Sequence, residues 1–257
     1  MKILLTNDDG YRAEGIRELA RALAPRAEVV IVAPERQRSA ASHAVTLHKP
    51  LRLNRARESE EKNVAVWYSN GTPTDCTMLG LFEVAPDAGL VISGINSGPN
   101  LGEDVLYSGT VAGAMEAALL GKPAIAVSLS RYNVGEYGLA RAFMAGLAPQ
   151  IAESGLPGSA ILNINVPPVA GDQYRGFRVT ALGTRTYRDV LDKRTDPRGQ
   201  SYYWITGTLV PGETKNSGTD YRAVSEGLVS ITPINLDMTH TGLLESLRIK
   251  DPLGGTP

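Results

Sequence analysis

Val29-Val30-Ile31-Val32-Ala33-Pro34 is a short apolar run, rich in β-branched residues and stopped by a proline. Because it is apolar at every position and not at every second one, it marks a strand covered on both faces. Upstream, Ile3-Leu4-Leu5-Thr6 repeats the pattern, and between the two runs Ile16, Leu19, Ala20 and Leu23 recur at helical spacing. A strand, a helix and a second strand of this kind build a right-handed βαβ unit.

The alternation continues downstream. Val64 to Tyr68 is a third strand, and Thr72 before Pro73 is an N-cap followed by proline at the first helical position, which predicts a helix to about Phe82. Leu90-Val91-Ile92 is the next buried strand. Val111, Met115, Ala118 and Leu119 share one helical face, and Gly121 and Pro123 stop that helix. Strands over Ala124 to Leu129 and Ala160 to Val166 flank a helix around Leu139 to Ala152. The expected fold is α/β: a three-layer, Rossmann-like parallel sheet with a C-terminal β-hairpin extension. The core is expected over residues 1–175. Beyond Gly176 the texture turns to Thr, Tyr, Val and Gly without helical period, so 176–257 is expected to form hairpins packed on the core and to serve oligomerisation, within one domain overall.

Composition bounds the function. With 257 residues, 42% of them hydrophobic, the chain can bury a full core without disulfides. A formal net charge of -1, from 26 basic and 27 acidic residues, argues against long nucleic acid as a partner. The lone Cys76 excludes an intramolecular disulfide and reads as a small buried hydrophobe in a reducing compartment. No stretch reaches the ~18–20 apolar residues of a membrane span, and the expected location is cytoplasmic. Arg52 to Lys62, with three arginines and three glutamates, reads as a solvated surface turn.

In open parallel sheets ligands bind outside the carboxyl ends of the strands, and four polar clusters pass that test. Asn7-Asp8-Asp9-Gly10 follows the first strand; adjacent carboxylates repel unless a cation or donors neutralise them, while the same residues also suit an Asx turn. Ser39, after the second strand, can ligate a metal, act as a nucleophile or bond its own loop. Ser93 to Gly102 is a Gly- and Asn-rich loop suited to close backbone approach, and Asn96 offers it a neutral carbonyl oxygen. Tyr107-Ser108-Gly109-Thr110 opens a helix whose free N–H groups and hydroxyls make a phosphate site or an ordinary cap. His43 and His48 have no partner motif and stay outside the site. Dinucleotide, P-loop, zincin and nucleophile-elbow motifs are absent from the sequence.

These clusters, with Ala33-Pro34-Glu35, Gly71-Thr72-Pro73-Thr74-Asp75-Cys76, Thr219-Asp220 and Gly227 to Pro233, lie in an order that resembles the SurE family of survival-protein nucleotidases. The resemblance implies a phosphomonoesterase acting on nucleoside 5′- and 3′-monophosphates, sometimes also on short polyphosphate. It implies one divalent ion per subunit, Mg²⁺ or Mn²⁺, on Asp8, Asp9, Ser39 and Asn96. Asp8 and Asp9 are the catalytic candidates, through an activated water or direct attack; Asn96, Ser108, Gly109 and Thr110 are the phosphate candidates. It also implies a homodimer or tetramer that exchanges C-terminal segments. Two readings compete: a non-catalytic nucleotide or metal sensor on the same fold, and a metal-dependent nucleoside glycosidase.

Overall fold

The computed structural model describes residues 1–56, 61–131, 136–157, 160–169, 173–184, 187–209 and 218–248. Its centre is a nine-stranded sheet in the order β3-β4-β2-β1-β5-β6-β7-β11-β8. The strands are β1 (Lys2–Thr6), β2 (Glu28–Pro34), β3 (Leu53–Arg55), β4 (Val64–Ser69), β5 (Leu90–Asn96), β6 (Ala124–Leu129), β7 (Ala160–Val166), β8 (Phe177–Val179) and β11 (Val229–Asn235). From β4 to β7 every neighbouring pair is parallel.

The all-apolar runs are explained by the two helical layers. Ile3, Leu5, Val29, Ile31 and Ile92 face helices α1 (Glu14–Leu23) and α4 (Gly138–Ser154). The alternate residues Leu4, Val30, Val32 and Val91 face α2 (Pro73–Leu79) and α3 (Gly109–Leu119). Strands β1, β2 and β5 therefore bury both of their faces. On α1, Ile16, Leu19 and Leu23 are buried, each worth about 1.5–3 kcal/mol of removed apolar surface. Thr72 and Asp75 close a reciprocal capping box at the start of α2, with Pro73 in the first turn as expected. Leu119, expected on the buried face of α3, is 59% exposed because it lies in the last turn, whereas Gly109 to Ala118 are buried on all sides. Cys76 is fully buried, and burial pushes its thiol pKa up.

Past Gly176 the outcome is divided. The expected hairpin is present as β9 (Tyr187–Thr195) and β10 (Ser201–Leu209), paired antiparallel in a sheet of their own. The segment around Val229 is different: β11 joins the main sheet antiparallel to β7, with Ile231 opposite Ile164, and β8 adds beside it. The core, expected over residues 1–175, runs two strands further. An apolar strand placed next to the open edge of β7 satisfies its backbone there and buries Val229 and Ile231 at once. Part of the Arg52 to Lys62 turn, residues 57–60, lies outside the described residues, as do 210–217 and 249–257 of the C-terminal segment. Residues 53–55 form the edge strand β3, where Arg55 lies over the Trp67 ring.

Candidate active site

A cleft of about 480 Å³ opens at the carboxyl edge of the parallel strands, lined among others by Asp8, Asp9, Ser39, Asn96, Asn100 and Ser108. That volume suits a small-molecule ligand. The four residues expected to hold a metal all border it.

The segment after β1 divides its work by residue. Asn7 makes the turn: its side-chain nitrogen donates to the Gly10 carbonyl at 3.0 Å, and its carbonyl oxygen accepts the Gly10 N–H at 3.1 Å. Gly10 sits at φ 100°, where a side chain would be strained and a Cβ would crowd the Arg36 backbone. Since Asn7 satisfies the turn, neither aspartate side chain is spent on it. The Asx turn of this motif is made by Asn7, which leaves the ligand reading to Asp8 and Asp9.

Asp8 is nine-tenths buried. Its Oδ1 accepts a short hydrogen bond from the Thr110 hydroxyl. Burial raises its carboxyl pKa to about 6, with the Thr110 bond pulling down and the charge of Asp9 pushing up. Asp9 is half-buried and also raised by burial, against the 3.2 Å bond it accepts from the Ser97 N–H. Among the described residues neither carboxylate has a cationic side-chain partner. The loop after β2 is tied back by the Arg38 N–H, which donates to the Asp8 carbonyl at 2.7 Å, and this sets the exposed Ser39 at the rim. Asn96 ends β5 beyond a register shift against β6, where Gly94 at φ 136° passes so close to the Val127 carbonyl that no Cβ would fit. That irregularity re-aims the strand end toward the cleft. Asn96 donates its amide hydrogen to the Gly98 carbonyl at 2.9 Å, so its carbonyl oxygen is the end left over.

The four phosphate candidates separate. Asn96 and Ser108 line the cleft. Ser108 caps α3 by accepting the Val111 N–H at 3.0 Å, which leaves its own hydroxyl hydrogen for an acceptor in the cleft. Gly109 and Thr110 stand behind this wall, against Asp8: a Cβ on Gly109 would lie 2.9 Å from the Asp8 Cβ, and Thr110 is fully buried with its hydroxyl spent on the carboxylate. Thr110 is therefore a positioning residue for Asp8. We expect Thr110→Ala to lower kcat/KM about tenfold with little change in melting temperature, and Thr110→Ser to restore it. A large thermal loss with intact kinetics would mean that Thr110 serves only the helix.

Two supporting residues take their role from partners distant in the chain. Asn100 is clamped from below by Asn163, Asn165 and Ser128, through bonds of 2.7 to 3.0 Å. Asp220, fully buried, accepts the N–H groups of Gly102, Gly183 and Tyr221, each at 2.8 Å, and so anchors the turn that leads into Ser108. Thr219-Asp220 entered only through the resemblance, because its partners lie far away in the chain. His43 pairs with Glu116 at 2.8 Å on α3 and does not line the cleft.

The donor set fits a hard cation. It comprises two carboxylates, an amide carbonyl and a hydroxyl, and among the described residues no cluster of three or more His, Cys, Asp or Glu competes with it. Two adjacent desolvated carboxylates without a positive partner are what a bound cation would neutralise. Fold and site together define an α/β protein with an all-oxygen acidic centre at the carboxyl edge of its parallel sheet.

The chain belongs to the SurE family. The family model for survival protein SurE matches residues 3–189. A protein of Geobacter metallireducens named 5′-nucleotidase SurE is 49% identical over 256 residues, covering 98% of both chains. One of the same name from Geotalea uraniireducens is 48% identical, covering 96% of this chain and 98% of its own. The crystal structure of the SurE protein from Aquifex aeolicus superposes with a TM-score of 0.83 at 37% identity, covering 96% of this chain and 98% of that one. Among the described residues no helix is long and apolar enough to cross a membrane.

Proposed function

We propose that this protein hydrolyses nucleoside 5′-monophosphates to nucleoside and phosphate, using one Mg²⁺ or Mn²⁺ held by Asp8, Asp9, Ser39 and Asn96. The observation that carries the reading is the adjacent pair of a buried and a half-buried carboxylate, without a cationic partner among the described side chains, lining a cleft beside the start of α3. The names of the relatives support the nucleotide as substrate. Nucleoside 3′-monophosphates and short polyphosphate share the same phosphoryl chemistry and extend the proposed range. A reducing cytoplasm fits the single buried thiol.

A phosphate monoester resists hydrolysis because its anionic oxygens repel the nucleophile. The cation, when bound, would offset that charge and acidify a water. Asp8, fixed by Thr110, supplies charge to hold it. Asp9, the more open carboxylate, takes the proton of the attacking water. The Ser108 hydroxyl, at the positive end of α3, steadies a phosphoryl oxygen, while Gly109 lies behind it against Asp8. Phosphate release from a panel of nucleotides tests the reading. Tight nucleotide binding without release would favour the sensor, and free base in place of phosphate would favour the glycosidase.

We also propose a homodimer or tetramer formed through the β9–β10 hairpin. Its Leu191, Tyr203, Trp204 and Ile205 are 56–86% exposed, and a lone hairpin is marginal in water. Truncation before Gly176 cannot test this, since it removes β8 and β11 from the core sheet. Replacing residues 187–209 by a short linker is expected to lower the mass measured by light scattering to a smaller assembly. An unchanged mass would refute the hairpin as the contact.

A further inference from the structure

Tyr107 lies directly before the Ser108 cap and lines the same cleft as the two aspartates, yet its side chain is 67% exposed. An exposed tyrosine alone means little. What distinguishes this one is how firmly its backbone is held. Its N–H donates to the Asp104 carbonyl at 3.1 Å, and its carbonyl accepts the Ser42 N–H at 3.1 Å. The Ser42 hydroxyl bonds the neighbouring Leu106 carbonyl at 2.7 Å, and Ser42 itself adopts a left-handed conformation, φ 49°. Two loops distant in sequence thus fix one residue whose ring no described aromatic covers. From below, Asp220 anchors the same turn through the Gly102 N–H.

The cleft lining combines the polar residues Asp8, Asp9, Asn96 and Ser108 with the apolar Ala40 and Pro99. A nucleotide is similarly divided, with an anionic phosphate at one end and a flat π-surface at the other. A phosphate held by the Ser108 hydroxyl would leave the rest of the nucleotide within the cleft that the neighbouring Tyr107 also lines. We propose that Tyr107 is the stacking platform for the nucleobase, a contact that recognises a π-face and not a particular base. Such stacking is tolerant of base identity because every base has a π-face, so the enzyme accepts all nucleoside monophosphates, with purines ahead of pyrimidines by their larger stacking area.

This inference rests on the nucleotidase reading and is separable from it. The test compares adenosine 5′-monophosphate with ribose 5-phosphate, which has the same phosphate and sugar without a base. In Tyr107→Ala the ratio of kcat/KM for the nucleotide over that for the sugar phosphate is expected to fall about tenfold, mainly through KM for the nucleotide. Tyr107→Phe is expected to keep the ratio. Tyr107→Leu, which preserves bulk without a π-face, should lose it, and guards against a folding defect of the alanine variant. Equal falls on both substrates, or an unaltered ratio in the leucine and alanine variants, overturns the stacking role while leaving the nucleotidase standing. Failure of the unmodified protein to release phosphate from either compound overturns both.

Discussion

Replacing Asp8 by asparagine is expected to reduce phosphate release from nucleoside monophosphates by at least about a hundredfold without unfolding the protein. The substitution keeps an oxygen in place to accept the Thr110 hydroxyl and changes almost no volume, so the close approach of Gly109 to this side chain survives. What it removes is charge. The direction of the stability change follows from linkage. In the folded chain the Asp8 carboxyl titrates near 6 instead of at the ordinary 3.8, so the folded state holds this proton more tightly than the unfolded one. Its contribution to stability is fully present below the unfolded value and is lost as pH rises from about 4 through about 6. At neutral pH the metal-free wild type carries a desolvated anion that the asparagine variant lacks. The variant's melting temperature without metal should accordingly equal or exceed that of the parent, a trade of stability for function. Asn96→Ala should also lower turnover strongly, through loss of a neutral oxygen ligand. Near-normal activity in a purified, folded variant would remove that residue from the centre.

Chelation is expected to abolish activity just as completely. EDTA followed by gel filtration should leave background phosphate release, and Mg²⁺ or Mn²⁺ should restore it, because an all-oxygen donor set favours hard cations over softer ones. The metal should also raise the melting temperature, since it binds the folded chain and relieves the repulsion between Asp8 and Asp9. Full activity in thoroughly metal-depleted protein would sink the metal assignment. A metal-dependent rise in melting temperature without any turnover would keep the site and favour the sensor.

The layered architecture was legible because a strand buried on both faces needs no knowledge of its neighbours: Val29 to Ala33 must be apolar throughout whatever packs against it. The candidate site was legible for a related reason. Loops at the carboxyl edge converge in any parallel sheet, so Asp8, Asp9, Ser39 and Asn96 could be grouped by their position after β1, β2 and β5 without a distance. Gly109 and Thr110 show where this reasoning runs out. A helix N-terminus announces hydroxyls and free N–H groups, but which of them face ligand and which brace a neighbour depends on the crossing of α3 past β1, and Asp8 lies 102 residues from Thr110.

Local chemistry in the sequence by itself determined the strand and helix alternation, the cap at Thr72 and the turn residues at Asn7 to Gly10, because each follows from side-chain shape, periodicity and hydrogen-bonding capacity within a few residues. Only the tertiary structure decided that β11 joins the core sheet between β7 and β8 and is not part of a hairpin, that Asp220 holds the turn before Ser108, and that Tyr107, its backbone bonded from two loops, lies exposed at the cleft. The physical reason is that an apolar run or a buried carboxylate states a need, for a covering surface or for donors, without saying which partner meets it. That choice falls to whichever open edge or unpaired N–H the rest of the folded chain brings within reach: the edge of β7 for Ile231, and the amides of Gly102 and Gly183 for Asp220.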